Sequence, residues 1–299
     1  MKQVVSISLG SSKRNHVVEV EMCGVPCRIE RIGMDGDMQK MIAKIKELDG
    51  KVDAFGLGGM DLYVYAGTRR FTLRDAKKVV SAAKKTPIVD GSGLKNTLER
   101  KVVRYLQTET AILNDKPQVL MMSGVDRFGM AQALDAAGCH LICGDLIFVL
   151  GVPIALNSLK ALERVAHMFA PIVAQLPFSL LYPTGAKQEE NTPRAEHLFQ
   201  KADIIAGDFH FIRRFMPSRL EEKIIITNTT TPEDVQLLQE RGVKALITTT
   251  PEFNGRSFGT NVMEALLVAL SGKKRELEAA EYEELLVEAE FIPRITWLS

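Results

Sequence analysis

Short strands alternating with helices along the 299 residues predict an α/β fold built as two domains. Three observations carry this expectation. From Pro117 onward, apolar runs bounded by turn residues alternate with amphipathic stretches, the pattern of a parallel sheet covered on both faces. The first hundred residues are richer in strands, several with period-two alternation. The hydrophobic share of 46% and the charged share of 25% are ordinary for a chain with a packed core.

In chain order, residues 4–9 read as a strand, and 17–22 and 27–32 alternate apolar with polar or charged side chains. Asp35-Gly-Asp37 opens a helix with Met38, Met41, Ile42 and Ile45 on one face. The glycine turns 56–59 and 67–70 flank a short strand at 62–66, and a helix is expected over 72–84. A brief strand at 87–90 leads through Gly91-Ser-Gly93 into a helix over 94–107. After a polar linker at 114–116, strands are expected at 119–123, 139–143, 203–206, 223–227 and 245–249. Helices are expected at 129–137, 156–175, 232–241, 260–270 and 273–289. This gives an N-terminal α/β domain at 1–113, a Rossmann-like parallel-sheet domain at 114–260, and C-terminal helices at 261–299 returning to the first domain.

Charge and cysteine usage exclude several functions. Lys plus Arg number 38 against 37 for Asp plus Glu, so the basic excess that drives phosphate-backbone binding is absent and no nucleic-acid partner is expected. The longest apolar runs, such as 146–156, fall short of the roughly 20 residues that span a bilayer. No long apolar segment precedes the first strand, so a cytoplasmic protein without a membrane partner is expected. Cys23 and Cys27, and Cys139 and Cys143, form two CxxxC pairs. Cys139 and Cys143 bracket a strand-like run, where residues four apart lie about 13 Å apart, too far to share one ion, and zinc pairs are usually spaced more tightly, so no metal is expected.

The segment Ser123-Gly124-Val-Asp126-Arg127-Phe-Gly129 stands between a strand and a helix, where a dinucleotide fingerprint belongs. Gly124 and Gly129 fit the turn and packing positions, while Asp126 occupies the place of the glycine that admits pyrophosphate. Arg127 offers a compensating charge, and the helix start offers N–H groups to an anion. Asp145, about twenty residues on, stands where a carboxylate bonds the ribose hydroxyls, which favours NAD over NADP. Gly144-Asp145 is echoed by Gly207-Asp208, each at a strand end where a ligand crevice forms; plain strand-to-loop turns would give the same pattern. The stretches 8–14, 182–191 and 248–261 read as an anion cradle, a lid-like loop and a second anion-binding loop, or as ordinary connections.

The run Asp90-Gly91-Ser-Gly93-Leu94, the helix after it, and the glycine turn near Gly124 resemble the shikimate and quinate dehydrogenase family. So does the later succession Ala202-Asp-Ile-Ile205, the strand at 224–227, Asn228, Thr229, Pro232 and the following helix. The resemblance spans residues 88–272. It implies that the first domain is the substrate side, and that Asp90 works with a lysine on the hydroxyl that loses hydride. Thr229 would then belong to the cofactor side, and Ser11, Ser12 and Asn261 to the substrate. The family's lysine motif has no counterpart in residues 1–88; Lys95 stands near Asp90 in sequence, and Lys13 sits in a Gly-Ser-Ser loop. An aspartate-held lysine of lowered pKa would accept the hydroxyl proton as hydride leaves. Without such a lysine, Asp90 reads as a turn or capping residue.

The expected function is therefore NAD-dependent oxidation of a secondary hydroxyl on a small polyol acid. Asp90 and Lys95 would be catalytic, and Gly124, Asp126, Arg127, Gly129, Asp145 and Thr229 would hold the cofactor. A ligand-binding or regulatory protein on a dehydrogenase-like shell is the alternative, as is a transferase or hydrolase of phosphorylated ligands. A homodimer is compatible with the sequence.

Overall fold

The computed structural model describes residues 1–66, 69–177, 191–250, 252–253, 256–257 and 259–298. Two separate sheets carry the fold. The first has the order β2-β3-β1-β4-β7, from β1 (Lys2–Ser8), β2 (His16–Met22), β3 (Val25–Gly33), β4 (Ala54–Gly58) and β7 (Ile88–Val89). All are parallel except the edge strand β2, which forms a hairpin with β3 through Cys23 and Gly24, both at positive φ. The second has the order β15-β12-β11-β10-β8-β9, from β8 (Gln118–Met121), β9 (His140–Cys143), β10 (Ile204–Ala206), β11 (Ile224–Thr227), β12 (Ala245–Thr248) and β15 (Arg294–Trp297). It is parallel except at β15. Counted from β8, its parallel strands run 2-1-3-4-5, the flavodoxin-like order and not the 3-2-1-4-5-6 of dinucleotide-binding sheets.

Alternation explains why both faces of the second sheet are covered. Val119, Met121, Ile204, Ala206, Ile226 and Ile247 point to one apolar cluster, shared with α3 (Ser92–Glu109) and α4 (Phe128–Ala136). Their neighbours Leu120, Ile205, Ile225 and Leu246 point to the other, shared with α7 (Glu196–Lys201) and α8 (Phe209–Phe215). A one-residue slip in any strand would send each set to the opposite face.

Helix α3 joins the lobes. Its buried residues Leu94, Leu98, Val102 and Leu106 recur every four positions, and it touches α4 on one side and α10 (Thr260–Ser271) and α11 (Ala279–Glu288) on the other. It starts after Gly91, whose φ of 96° is left-handed, and a Cβ there would stand 2.6 Å from the Asn261 nitrogen. Helix α10 lies against β1 and β4 of the first sheet.

Several local expectations are corrected. Arg69 and Arg70 belong to β6 (Arg69–Thr72), which pairs antiparallel with β5 (Tyr63–Ala66), so they extend a ribbon and do not form a turn; positions 67–68 lie outside the described residues. The next helix, α2, is shorter than expected, Arg74–Val80. Asp145 does not end a strand but starts the single-turn helix α5 (Asp145–Phe148). The long helix α6 begins at Leu159, capped by Ser158, because Leu156 bridges back to Cys143. Helices α7 and α8 and strand β15 carry too few periodic residues to be seen in sequence. Residues 294–297 consequently complete the second sheet, while the charged helix of the C-terminus is confined to Ala279–Glu288.

Candidate functional site

Parallel strands deliver their carboxyl ends, and the loops after them, to one edge of a sheet. Here both sheets turn that edge toward the same interlobe cleft, a cavity of about 390 Å³. The first lobe contributes Ser8, Gly58, Asp61 and Asp90, and the second contributes Ser123, Asp126, Asp145, Asp208 and Asn228. The aspartates of both Gly-Asp pairs therefore line one cleft, from the ends of β9 and β10.

Lys95, one turn into α3, projects between the walls. Its Nζ donates to Asp126 Oδ1 at 2.9 Å and to Asp61 Oδ1 at 3.3 Å, with the lysine side chain 12% exposed. Burial would lower its pKa, but Asp126 and Asp61 prevail and hold the ammonium above the usual lysine range. A lysine so placed is a fixed cation, not the lowered-pKa base that hydride chemistry needs.

Asp90 is not its partner. The Asp90 carboxylate accepts from Leu62 N–H at 2.5 Å, Ser92 N–H at 3.0 Å and Ser92 Oγ at 2.6 Å, so it ties the loop after β4 to the start of α3. The Asp90–Lys95 pair of the sequence reading is thus replaced by Lys95 with Asp61 and Asp126. Asp61 carried no sequence signal, since only the fold brings the loop after β4 opposite the loop after β8.

The glycine turn is closed by the protein itself. Gly124 and Val125 donate their N–H groups to Asp145, at 3.0 Å to Oδ2 and 2.8 Å to Oδ1. Burial raises the Asp145 pKa to about 6 even though these two donors favour its ionised form. A Cβ on Gly124 would meet Leu162 of α6 at 2.7 Å, and one on Gly129 would collide with Asn96 Oδ1 of α3. Both glycines admit neighbouring helices, and neither faces an open phosphate position. Arg127 is no phosphate ligand either. It is fully buried, paired with Glu99 and lying 3.4 Å from Asp208, whose carboxylate also accepts from Asn228 Nδ2 at 3.2 Å. Burial would raise the Asp208 pKa, but His210 and Arg127 bring it down to about 2.

The residues therefore do not fit a dinucleotide held by this turn. Asp145 is turned inward to the N–H groups and so is withdrawn from the ribose role, Asp126 faces Lys95, and Gly124, Arg127 and Gly129 are engaged in packing and pairing. Thr229 does line the cleft.

On the substrate side, Ser11 and Ser12 lie outside the cleft lining. Ser11 caps the 3-10 turn Ser12–Arg14, and Ser12 N–H donates to Asp35 at 2.7 Å. The cradle expected there is filled from within, as Arg31 also donates to Ser11 O at 3.1 Å and to Ser8 Oγ at 3.1 Å. Asn261 does line the cleft, but its Nδ2 donates to Ser6 Oγ at 2.9 Å and so fastens α10 to β1. Residues 182–190 and 254–255, which the lid-like and second anion-binding loops include, lie outside the described residues. Across the mouth, Arg14 of the first lobe reaches His210 Nε2 of the second at 3.3 Å.

The four cysteines are free thiols; burial raises the Cys139 pKa to about 11, and Cys143 is raised as well. Among the described residues no cluster of three or more His, Cys, Asp or Glu could hold a metal ion, and no helix is long and apolar enough to cross a membrane.

The fold and the site define a two-lobed α/β protein with a charged cleft between the carboxyl ends of two sheets. The chain belongs to the family described as domain of unknown function DUF8754, whose model matches residues 93–298. A second domain of unknown function, DUF8753, matches residues 3–90, so the two matches meet at the Asp90–Gly93 crossing between the lobes. No curated protein matches the chain. Among solved structures, a galactofuranose binding protein is similar at 13% identity over 97% of this chain and 99% of its own, with a TM-score of 0.37. The arabinose-transporter binding protein from Shewanella sp. ANA-3 is similar at 11% identity, 97% of each chain and TM-score 0.37. An NAD-dependent malic enzyme from Thermotoga maritima is similar at 11% identity, 97% of this chain and 84% of its own, with a TM-score of 0.36.

Proposed function

We propose that this protein binds a small polar molecule in the interlobe cleft and does so without a dinucleotide. One observation carries the reading: the Asp145 carboxylate accepts both N–H groups of the turn that would otherwise cradle pyrophosphate. A bound anion there would have to displace a buried carboxylate from its two donors. The cleft itself supports the binding half of the proposal, since crevices at the carboxyl ends of parallel strands are where α/β proteins take ligands.

The NAD-dependent oxidation implied by the family resemblance is the second reading. It retains one favourable observation, that Lys95 stands in the cleft with a carboxylate 2.9 Å away. Against it, two carboxylates share that lysine, and Asp90 is engaged with Leu62 and Ser92.

Titration calorimetry of the full chain with NAD, NADP, quinate, shikimate and neutral cyclic polyols separates the two. The proposal expects a polyol to bind and both dinucleotides to give no heat. Saturable NAD binding, with NADH formed from quinate or shikimate, would reinstate the dehydrogenase.

A further inference from the structure

The cleft joins two chemically different surfaces in one cavity. Its floor carries Asp61, Lys95 and Asp126. Each carboxylate gives one oxygen to the ammonium, and the aspartate side chains are 19% and 31% exposed, within reach of a ligand. The outer wall is apolar, made by Val165 and Phe169 of α6 and by Leu146, Val149 and Leu150 at and just beyond α5. Although they face a concave site, Val149, Leu150 and Phe169 are 42%, 46% and 38% exposed. Apolar surface of this kind is what the apolar part of a bound molecule removes from water.

We infer that the ligand is amphiphilic: a hydroxyl-rich, non-phosphorylated head on the Asp61–Lys95–Asp126 floor, joined to an apolar or aromatic portion lying along α6. The inference rests on the ligand-binding reading above and narrows it to a ligand class. The head is hydroxylated because carboxylates accept O–H groups while the lysine donates to their oxygens. It carries no phosphate because N–H groups at the cleft's turns already donate to aspartates: Ser92 to Asp90, Gly124 and Val125 to Asp145, and His210 to Asp208. The apolar portion follows from the wall, which a bare polyol would leave wet.

The test is calorimetry of the full chain with matched methyl and phenyl glycosides of several hexoses and pentoses, and with the corresponding sugar phosphates. At least one phenyl glycoside should bind about tenfold or more tightly than its methyl partner, as burial of a ring against an apolar wall implies. The sugar phosphates should not bind. Phe169→Ser, or Leu150→Ser should the first fail to fold by circular dichroism, should weaken the phenyl compound more than the methyl one and erase the gap. Equal affinities in the unmodified protein, or tighter binding of a phosphate ester, would overturn the amphiphilic assignment and leave ligand binding standing. No heat from any compound would overturn ligand binding itself, and this inference with it.

Discussion

Asp145 and Gly124, twenty-one positions apart, are joined by a 3.0 Å hydrogen bond from the Gly124 N–H to the Asp145 carboxylate. The same carboxylate takes the Val125 N–H, so the turn after β8 and the start of α5 are locked to each other. An aspartate here acts as an internal anion, doing for the turn what a phosphate does in nucleotide-binding sheets. Asp145→Ala should therefore leave the buried Gly124 N–H and the part-buried Val125 N–H without acceptors. Urea unfolding is expected to show a loss of about 1–3 kcal/mol with an unchanged m-value.

Lys95 holds two carboxylates from opposite lobes, and its removal leaves Asp61 and Asp126 facing each other. Lys95→Met should cost about 1–3 kcal/mol, less than the roughly 3–5 kcal/mol of breaking a fully buried pair, because the aspartates keep some solvent. Adding Asp126→Asn should recover part of that loss. A double-mutant cycle measured by urea unfolding gives the coupling.

Arg127 is fully buried between Glu99 and Asp208. Arg127→Met would strand the buried Glu99 carboxylate and take a cation from Asp208, which stays 28% exposed at the cleft, and a loss of about 3–5 kcal/mol is expected. The pair Glu99→Gln with Arg127→Met should be more stable than Arg127→Met alone, as read from thermal unfolding. A double variant no better than the single one would mean that Glu99 is not held ionised by Arg127.

Glu264 is buried in α10, where its carboxyl contacts Tyr282 and accepts the Gly91 N–H at 2.5 Å. Burial, reinforced by Asp90, raises its pKa to about 8, against about 4.3 in an unfolded chain. Between those values the native state holds a proton that the unfolded chain has released. The stability this gives is fully present below about pH 4.3 and is lost as pH rises through about 8. The melting temperature of Glu264→Gln should fall less steeply over this window than that of the unmodified chain. Parallel slopes would place the titration elsewhere.

The second sheet was legible because each strand buries both faces, and near-continuous runs such as Ile224–Thr227 and Ala245–Thr248 carry that requirement in their composition. Helix α8 escaped notice because its seven residues, led by Asp208 as N-cap, offer fewer than two full turns of periodicity. At the site, Lys95, Asp126, Asp145 and Thr229 could be named as cleft residues from the strand-to-helix turns they flank. Their roles could not, because a carboxylate reads the same in sequence whether it meets a ribose, a lysine or a backbone N–H.

Composition and periodicity alone determined an α/β chain with a parallel sheet in its second half, since burying apolar side chains obeys a local repeat. Tertiary structure alone decided that the strand order is flavodoxin-like, that Lys95 belongs to Asp61 and Asp126, and that Asp145 closes its own turn. Such pairings depend on how the fold brings distant loops within hydrogen-bond distance, and contacts of that length have no counterpart in residue spacing.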